Sequence, residues 1–162
     1  MNIQNKRGFT LVELLIVIAI IGIVSAIAIP NLLMALHKAR QKGTVSDLKT
    51  VGAAVESYLT DWTFVPQIPA GPITALDQDF FRPFNIKVLV TKDHWGNTLL
   101  WDQPGNFHDD YSITSYGRDH AASGPFGAPH FGSFYPCSTM SSFDNDIVFS
   151  QGVFAFGPWL KN

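Results

Sequence analysis

Cysteine is nearly missing from this chain: Cys137 is the one thiol among 162 residues. A single cysteine excludes an internal disulfide framework and any multi-cysteine zinc or iron–sulfur site. Charge is scarce too. Asp, Glu, Lys and Arg make up 15% of the chain, against about a quarter in an ordinary soluble domain. With a formal charge of only −2, long disordered tails and a basic nucleic-acid binder are excluded. Proline is confined to one position, Pro30, in residues 1–62, and nine of the ten prolines follow. Phenylalanine divides the same way, with twelve of thirteen beyond residue 62. The deepest absence runs from Leu14 to Leu36: 23 residues without one Asp, Glu, Lys, Arg or His. The average composition therefore describes neither half of the chain.

That uncharged run reads LLIVIAIIGIVSAIAIPNLLMAL. As a helix rising ~1.5 Å per residue it spans ~35 Å, enough for a hydrocarbon core of ~30 Å. A buried core helix is the bland alternative, but so long an uncharged run is rare in soluble domains. Lys6 and Arg7 lie before the run, and the next basic flank is at Lys38. Positive charge on the leading side keeps the N-terminus cytoplasmic and sends the bulk across the membrane. A secretory signal would place its cleavage site after the apolar region, and Ala28-Ile29-Pro30 makes a poor one.

The better break lies before the run. Lys6-Arg7-Gly8-Phe9-Thr10-Leu11-Val12-Glu13-Leu14, followed by an apolar helix and Pro30, resembles the N-terminus of type IV pilins and pseudopilins. The resemblance covers residues 6–35. It implies cleavage after Gly8 by a membrane prepilin peptidase, N-methylation of the new first residue Phe9, and an assembly role for Glu13 at the fifth mature position. A carboxylate at the centre of a membrane helix costs on the order of 2.5–3.5 kcal/mol, and less near its end. Such a group seeks a cation, and the free amine of Phe9 in a neighbouring subunit is one; snorkelling of Glu13 to the interface is the alternative. Pro30 removes a backbone donor and crowds the preceding turn, so a kink is expected there, and in filaments of the family this stretch can melt. Losing residues 1–8 removes Lys6 and Arg7 and takes the formal charge from −2 to −4.

Beyond Leu36 the pattern becomes amphipathic. Val45, Leu48, Val51, Val55, Tyr58, Leu59 and Trp62 recur at three- and four-residue steps, a stripe that predicts packing against a folded head. Lys38, Arg40 and Lys42 read as interfacial anchors at the end of the span, in contact with membrane lipid. A helix from Phe9 to Asp61 would run ~80 Å, longer than a head of this size needs and suited to a helical filament.

Residues 63–162 hold nine prolines and nine glycines. Pro66, Pro69, Pro72 and Pro83 make 65–83 an irregular loop without regular helix. Ile86–Thr91, Thr98–Trp101, Tyr111–Ser115, Ile147–Ser150 and Val153–Phe156 are strand candidates, with turns at Pro104-Gly105-Asn106 and Gln151-Gly152. The expected fold class is α+β and type IV pilin-like: a long N-terminal helix packed on a small antiparallel sheet. The segments expected are a leader (1–8), a membrane and filament-core helix (9–36), its amphipathic continuation (37–62) and a β-rich head (63–162).

Asp93-His94-Trp95-Gly96-Asn97, Tyr111 to Asp119, and Asp144-Asn145-Asp146-Ile147 are together similar to the head of the major-pseudopilin family of type II secretion. That family carries Asp-x-Trp-Gly-Asn, usually with Pro at x, then Ser-x-Gly-x-Asp and a late Asp-Ile pair framing a calcium loop. Here His94 stands in place of Pro, and residues 120–143 form an insertion between Asp119 and Asp144. The resemblance implies calcium, a cation that takes six to eight oxygen ligands, held by Asp119, Asp144 and Asp146 with carbonyls near Ser115 and Tyr116. Three solvated loop acids are the plain alternative. The aromatic insertion is expected to fold over the sheet as extra core, with Cys137 a structural thiol.

An enzyme is not expected. His94, His108, His120 and His130 with Asp109 and Asp110 offer zinc-type donors, but no His-Glu-x-x-His spacing joins them. Neither a Gly-x-Ser-x-Gly elbow nor a phosphate-binding loop is present. The resemblance implies a structural subunit of a secretion pseudopilus, polymerising with itself through the helix. Its partners would be the prepilin peptidase, an inner-membrane assembly platform and minor pseudopilins. It would sit single-pass in the inner membrane and then in a periplasmic or extracellular filament. A surface pilin serving adhesion, motility or DNA uptake is the alternative. The head's five basic and nine acidic residues disfavour nucleic acid.

Overall fold

A computed structural model describes residues 8–74, 77–81, 85–103, 110–121 and 143–157. The chain divides into two compact units, Met1–His37 and Lys38–Asn162. One helix, α1 (Leu11–Trp62), contributes to both.

In the first unit α1 starts two residues later than expected, because Thr10 is spent as its cap rather than as a helical residue. The helix continues through Pro30, so the expected kink does not interrupt it. Proline's missing N–H costs one ladder bond, that to the carbonyl four residues earlier. From Leu11 to Leu36 every residue is exposed except Ser25. Ile23 stands 66% exposed and Leu32 60%, within a continuous exposed apolar surface of a kind that soluble monomers rarely carry.

The second unit is built on the amphipathic half of α1. Leu48, Val51 and Val55 are almost wholly buried, with Val45 and Leu59 packed at the margin. Fully burying side chains of this kind stabilises by about 1.5–3 kcal/mol each. Trp62, the last member of the expected stripe, is 58% exposed, because α1 ends there and the chain turns away through Thr63 in a left-handed conformation (φ 62°).

Five short strands form one antiparallel sheet in chain order: β1 (Gly71–Pro72), β2 (Leu100–Asp102), β3 (Ser112–Ser115), β4 (Ile147–Ser150) and β5 (Val153–Phe156). The register sets Trp101 opposite Ile113, Ile113 opposite Phe149 and Phe149 opposite Phe154. Residues directly opposite share a face, so this row supplies Trp101, Ile113 and Phe149 to the same core as Leu48, Val51 and Val55. Gly52 permits the approach: a Cβ there would lie 2.0 Å from the Phe149 ring. The β4–β5 hairpin turns at Gln151 (φ 48°) and Gly152 (φ 77°), the two positive φ values of a two-residue hairpin loop.

Two expectations are corrected. Residues 65–83 are not wholly irregular, since they contain β1 and one helical turn, α2 (Gln78–Phe81). Ile86–Thr91 forms no strand. Its backbone is committed elsewhere: the Asn85 and Ile86 N–H groups donate to the Phe81 carbonyl at the end of α2, and the Lys87 carbonyl accepts the Gln78 side chain. What remains of the pairing is a single bridge between Lys92 and Thr98. The turn at 104–106 lies outside the described residues, as do residues 1–7 of the expected leader, nearly all of the insertion (122–142) and Cys137.

Candidate functional site: the helix tip and the loop cluster of the head

Gly8, Phe9 and Thr10 precede α1 in exposed, non-helical backbone. The Thr10 N–H and hydroxyl both donate to Glu13 Oε2, each at 2.8 Å, and the Glu13 N–H donates to Thr10 Oγ1 at 3.2 Å. This is a capping box, in which Thr10 at the N-cap and Glu13 at the third helical position satisfy each other's orphan donors. A negative side chain in the first turn also complements the helix dipole. Glu13, for which an assembly role is expected, thus caps the helix of its own subunit. The Thr-x-x-Glu spacing is the sequence signal of this cap.

In the head, Asp93 organises the first loop. Its carboxylate is 6% exposed as a residue and accepts four hydrogen bonds. Oδ1 takes the N–H groups of Trp95 (2.9 Å) and Asn97 (2.8 Å), while Oδ2 takes Asn97 Nδ2 (3.0 Å) and the Ser115 hydroxyl (2.6 Å). A buried charge is tolerated only when so satisfied. Asn97 passes the connection on: its amide donates to the Gly117 carbonyl at 2.5 Å, and its Oδ1 meets His120 Nδ1. The motif Asp-x-Trp-Gly-Asn is thus a tied loop that fixes the turn at 117–120. The Ser115 hydroxyl is committed to Asp93, which leaves the expected role of its backbone carbonyl untouched.

That turn meets residues 143–146. Gly117 sits at φ 73° with the Asn145 and Phe143 carbonyls 2.8 and 2.9 Å from where a Cβ would stand, which only glycine allows. The Arg118 N–H donates to the Phe143 carbonyl. Its guanidinium grips Asp144 with Nε on Oδ1 and Nη2 on Oδ2, both at 2.7 Å. Pairing with Asp144 holds Arg118 above its ordinary pKa. Asp119 accepts the Ala121 N–H, and Asp146 is buried.

The carboxylates of Asp119, Asp144 and Asp146 fit calcium by donor type. Their arrangement does not close a site: among the described residues no group of three or more His, Cys, Asp or Glu could hold a metal ion. Both oxygens of Asp144 are taken by Arg118. Among the described residues the histidines do not gather either. His94 pairs with Asp47, His120 meets Asn97, and Asp110 accepts from Gln151; His108, Asp109 and His130 lie outside the described residues.

One further polar contact sits in the core. The Tyr111 hydroxyl donates to Glu56 Oε1 at 2.6 Å. Burial, reinforced by the hydrogen bond to Glu56, pushes the Tyr111 pKa well above the usual phenol range.

Comparisons with known proteins agree with this anatomy. The family described as the prokaryotic N-terminal methylation motif matches residues 3–29, and the family described as type II secretion system protein G matches residues 31–128. The chain is 32% identical over 124 residues to the type II secretion system core protein G of Escherichia coli (strain K12), covering 72% of this chain and 84% of that protein. It is 31% identical over 129 residues to the core protein G of Aeromonas hydrophila, covering 75% and 90%. The type IV major pilin protein PilA of Myxococcus xanthus is 46% identical over only 57 residues, 35% of this chain and 26% of that protein. No solved structure matches. The pilin likeness thus covers about a third of the chain, whereas the secretion likeness extends through most of it. The chain belongs to the protein G family of the type II secretion system, the pseudopilin branch of the type IV pilin-like proteins.

Proposed function

We propose that this chain is the filament-forming subunit of a secretion pseudopilus, cut between Gly8 and Phe9 and methylated at Phe9. The observation that carries the reading is the first half of α1: an uncharged apolar helix surface, exposed along its length, with one carboxylate at its tip. A surface of that kind is stable only in lipid or against other copies of itself. Before assembly it anchors the subunit in the inner membrane with the N-terminus cytoplasmic. After assembly the same surface forms the core of a periplasmic filament, whose extension moves cargo outward. The prepilin peptidase, an assembly platform and minor pseudopilins are the partners this cycle requires. The role is structural rather than catalytic.

Glu13 is assigned the assembly pairing with the Phe9 amine of a neighbour, and Pro30 the backbone adjustment that accompanies packing. Glu13→Leu removes pairing and cap together, whereas Thr10→Ala removes only the cap. Filament formation lost in Glu13→Leu and retained in Thr10→Ala is the expected result. Undiminished assembly of Glu13→Leu would sink the pairing. A secretion assay in a deletion strain separates the pseudopilus from a surface pilus: lost secretion with surface fibres intact supports this reading.

Calcium at Asp119, Asp144 and Asp146 is a second element of the proposal, supported by the donor chemistry. It requires Asp144 to leave Arg118. Calorimetric titration of the full chain in detergent tests it; a titration that gives no calcium heat, with no thermal stabilisation by calcium, would reject the site.

A further inference from the structure

Within the second unit, α1 carries different surfaces on its two flanks. Lys49, Ala53 and Glu56 follow one another at steps of four and three residues and so share one flank. Between them and the start of β5 lies an open groove of about 670 Å³, lined also by Phe149, Val153 and Phe154. Phe149 belongs to the core, whereas Val153 is 50% exposed. At one end of the groove the Lys49 ammonium lies over the Phe154 ring, 5.7 Å from its centre. Among the described residues Lys49 has no acidic partner. Glu56, about two turns further along the helix, accepts the Tyr111 hydroxyl.

Tyr58 stands about two and a half turns beyond Lys49, and therefore on the far side of α1. It stacks on Trp62, with ring centres 6.1 Å apart, and meets Phe81 edge-on at 6.2 Å. Phe81 is buried, but its neighbours in α2, Asp79 and Phe80, are exposed, Phe80 by 41%. No partner for Asp79 exists among the described residues. α2 follows β1 at one edge of the five-stranded sheet, whereas the groove borders β5 at the other. A projecting aromatic ring beside a carboxylate thus stands on one side of the head, and an apolar groove with a cation at its rim on the other.

Complementary surfaces on two sides of one molecule meet only between copies. A contact of that heterologous kind repeats into a ring or into an open helical fibre. We infer that the groove receives α2 of a second copy, with Phe80 entering between Ala53 and Phe154 and Asp79 pairing with Lys49. Glu56 repels a carboxylate from the other end, so the contact has one polarity. Phe80 is the aromatic anchor on which such interfaces concentrate their energy, and the charge pair fixes the register. The inference rests on the filament reading and adds to it a contact between neighbouring heads, separate from the packing of the apolar helices.

Filaments from cells overproducing the full chain test the contact, in a Cys137→Ser background that leaves only introduced thiols. With Phe80→Cys and Ala53→Cys together, mild oxidation is expected to give a ladder of dimers, trimers and longer chains; either substitution alone gives no ladder. Lys49→Asp or Asp79→Lys alone is expected to cut filament yield about tenfold, because like charges then face each other. The two exchanged together restore the yield, and head unfolding in detergent keeps its wild-type midpoint in all three variants. Filaments of normal yield without a ladder, cross-links to a different protein, or single charge reversals without effect would overturn the contact and leave the filament reading standing. Failure of the wild-type chain to form filaments would overturn both.

Discussion

Residues 11–36 and 44–59 belong to one helix yet live in opposite circumstances. The first stretch is apolar around its circumference and exposed; the second is apolar on one stripe, and that stripe is buried. Intrinsic helix preference does not separate them. What differs is whether the subunit itself can satisfy the apolar surface. The amphipathic half finds its partner in the sheet of its own chain, whereas the uniformly apolar half must find lipid or another molecule.

The largest test of this contrast compares a core residue of the head with an exposed residue of the apolar half. Trp101→Ala, or Leu48→Ala on the facing helix, is expected to cost about 3–5 kcal/mol of head stability, read by denaturant unfolding in detergent. Ile20→Ala, on the exposed half, is expected to leave the same transition within about 0.5 kcal/mol. Equal losses would mean that the halves are not independently stabilised. Next comes Gly52→Ala, which drives a Cβ into the Phe149 ring and should cost about 1–3 kcal/mol; Gly22→Ala, with open space around it, should stabilise its helix slightly.

Tyr111→Phe leaves the half-buried Glu56 without its phenol partner, and a hydrogen bond to a charged group contributes about 1.5–3 kcal/mol. Its pH dependence carries a definite sign. Because the folded state holds the Tyr111 proton more tightly than the unfolded chain does, the contribution is complete below pH ~10 and lost above it, as the unfolded phenol ionises first. The thermal midpoint of wild type should fall more steeply than that of Tyr111→Phe beyond that point. The smallest effect is expected for Arg118→Gln. Both partners of the Asp144 ion pair are 43% exposed, so the loss should stay below about 1 kcal/mol. A larger loss would show that the pair anchors the 117–120 turn.

Much of this arrangement was legible in the residues. The helix bounds came within two residues at each end because polarity, spacing and the Gly8-Phe9 junction all point the same way. β4 and β5 matched at their full lengths, since two short apolar runs flank a Gln-Gly pair suited to a tight turn. Ile86–Thr91 misled: its β-prone composition is real, but hydrogen bonds to α2 claimed the backbone first, and local propensity cannot see a competing partner. The roles of Asp93, Arg118 and Tyr111 were hidden for a related reason. Each depends on a group distant in sequence (Ser115, Asp144 and Glu56), and no periodicity marks such pairs.

The sequence by itself determined the apolar helix, the fold class and the family, because these rest on local composition and on short motifs. Tertiary structure alone decided that Glu13 caps its own helix, that Asp93 is the hub of the head's loops, that Asp144 is held by Arg118, and that His94 lies on Asp47. Those outcomes depend on which donors and acceptors the folded chain brings within about 3 Å of one another, a distance that sequence separation does not encode.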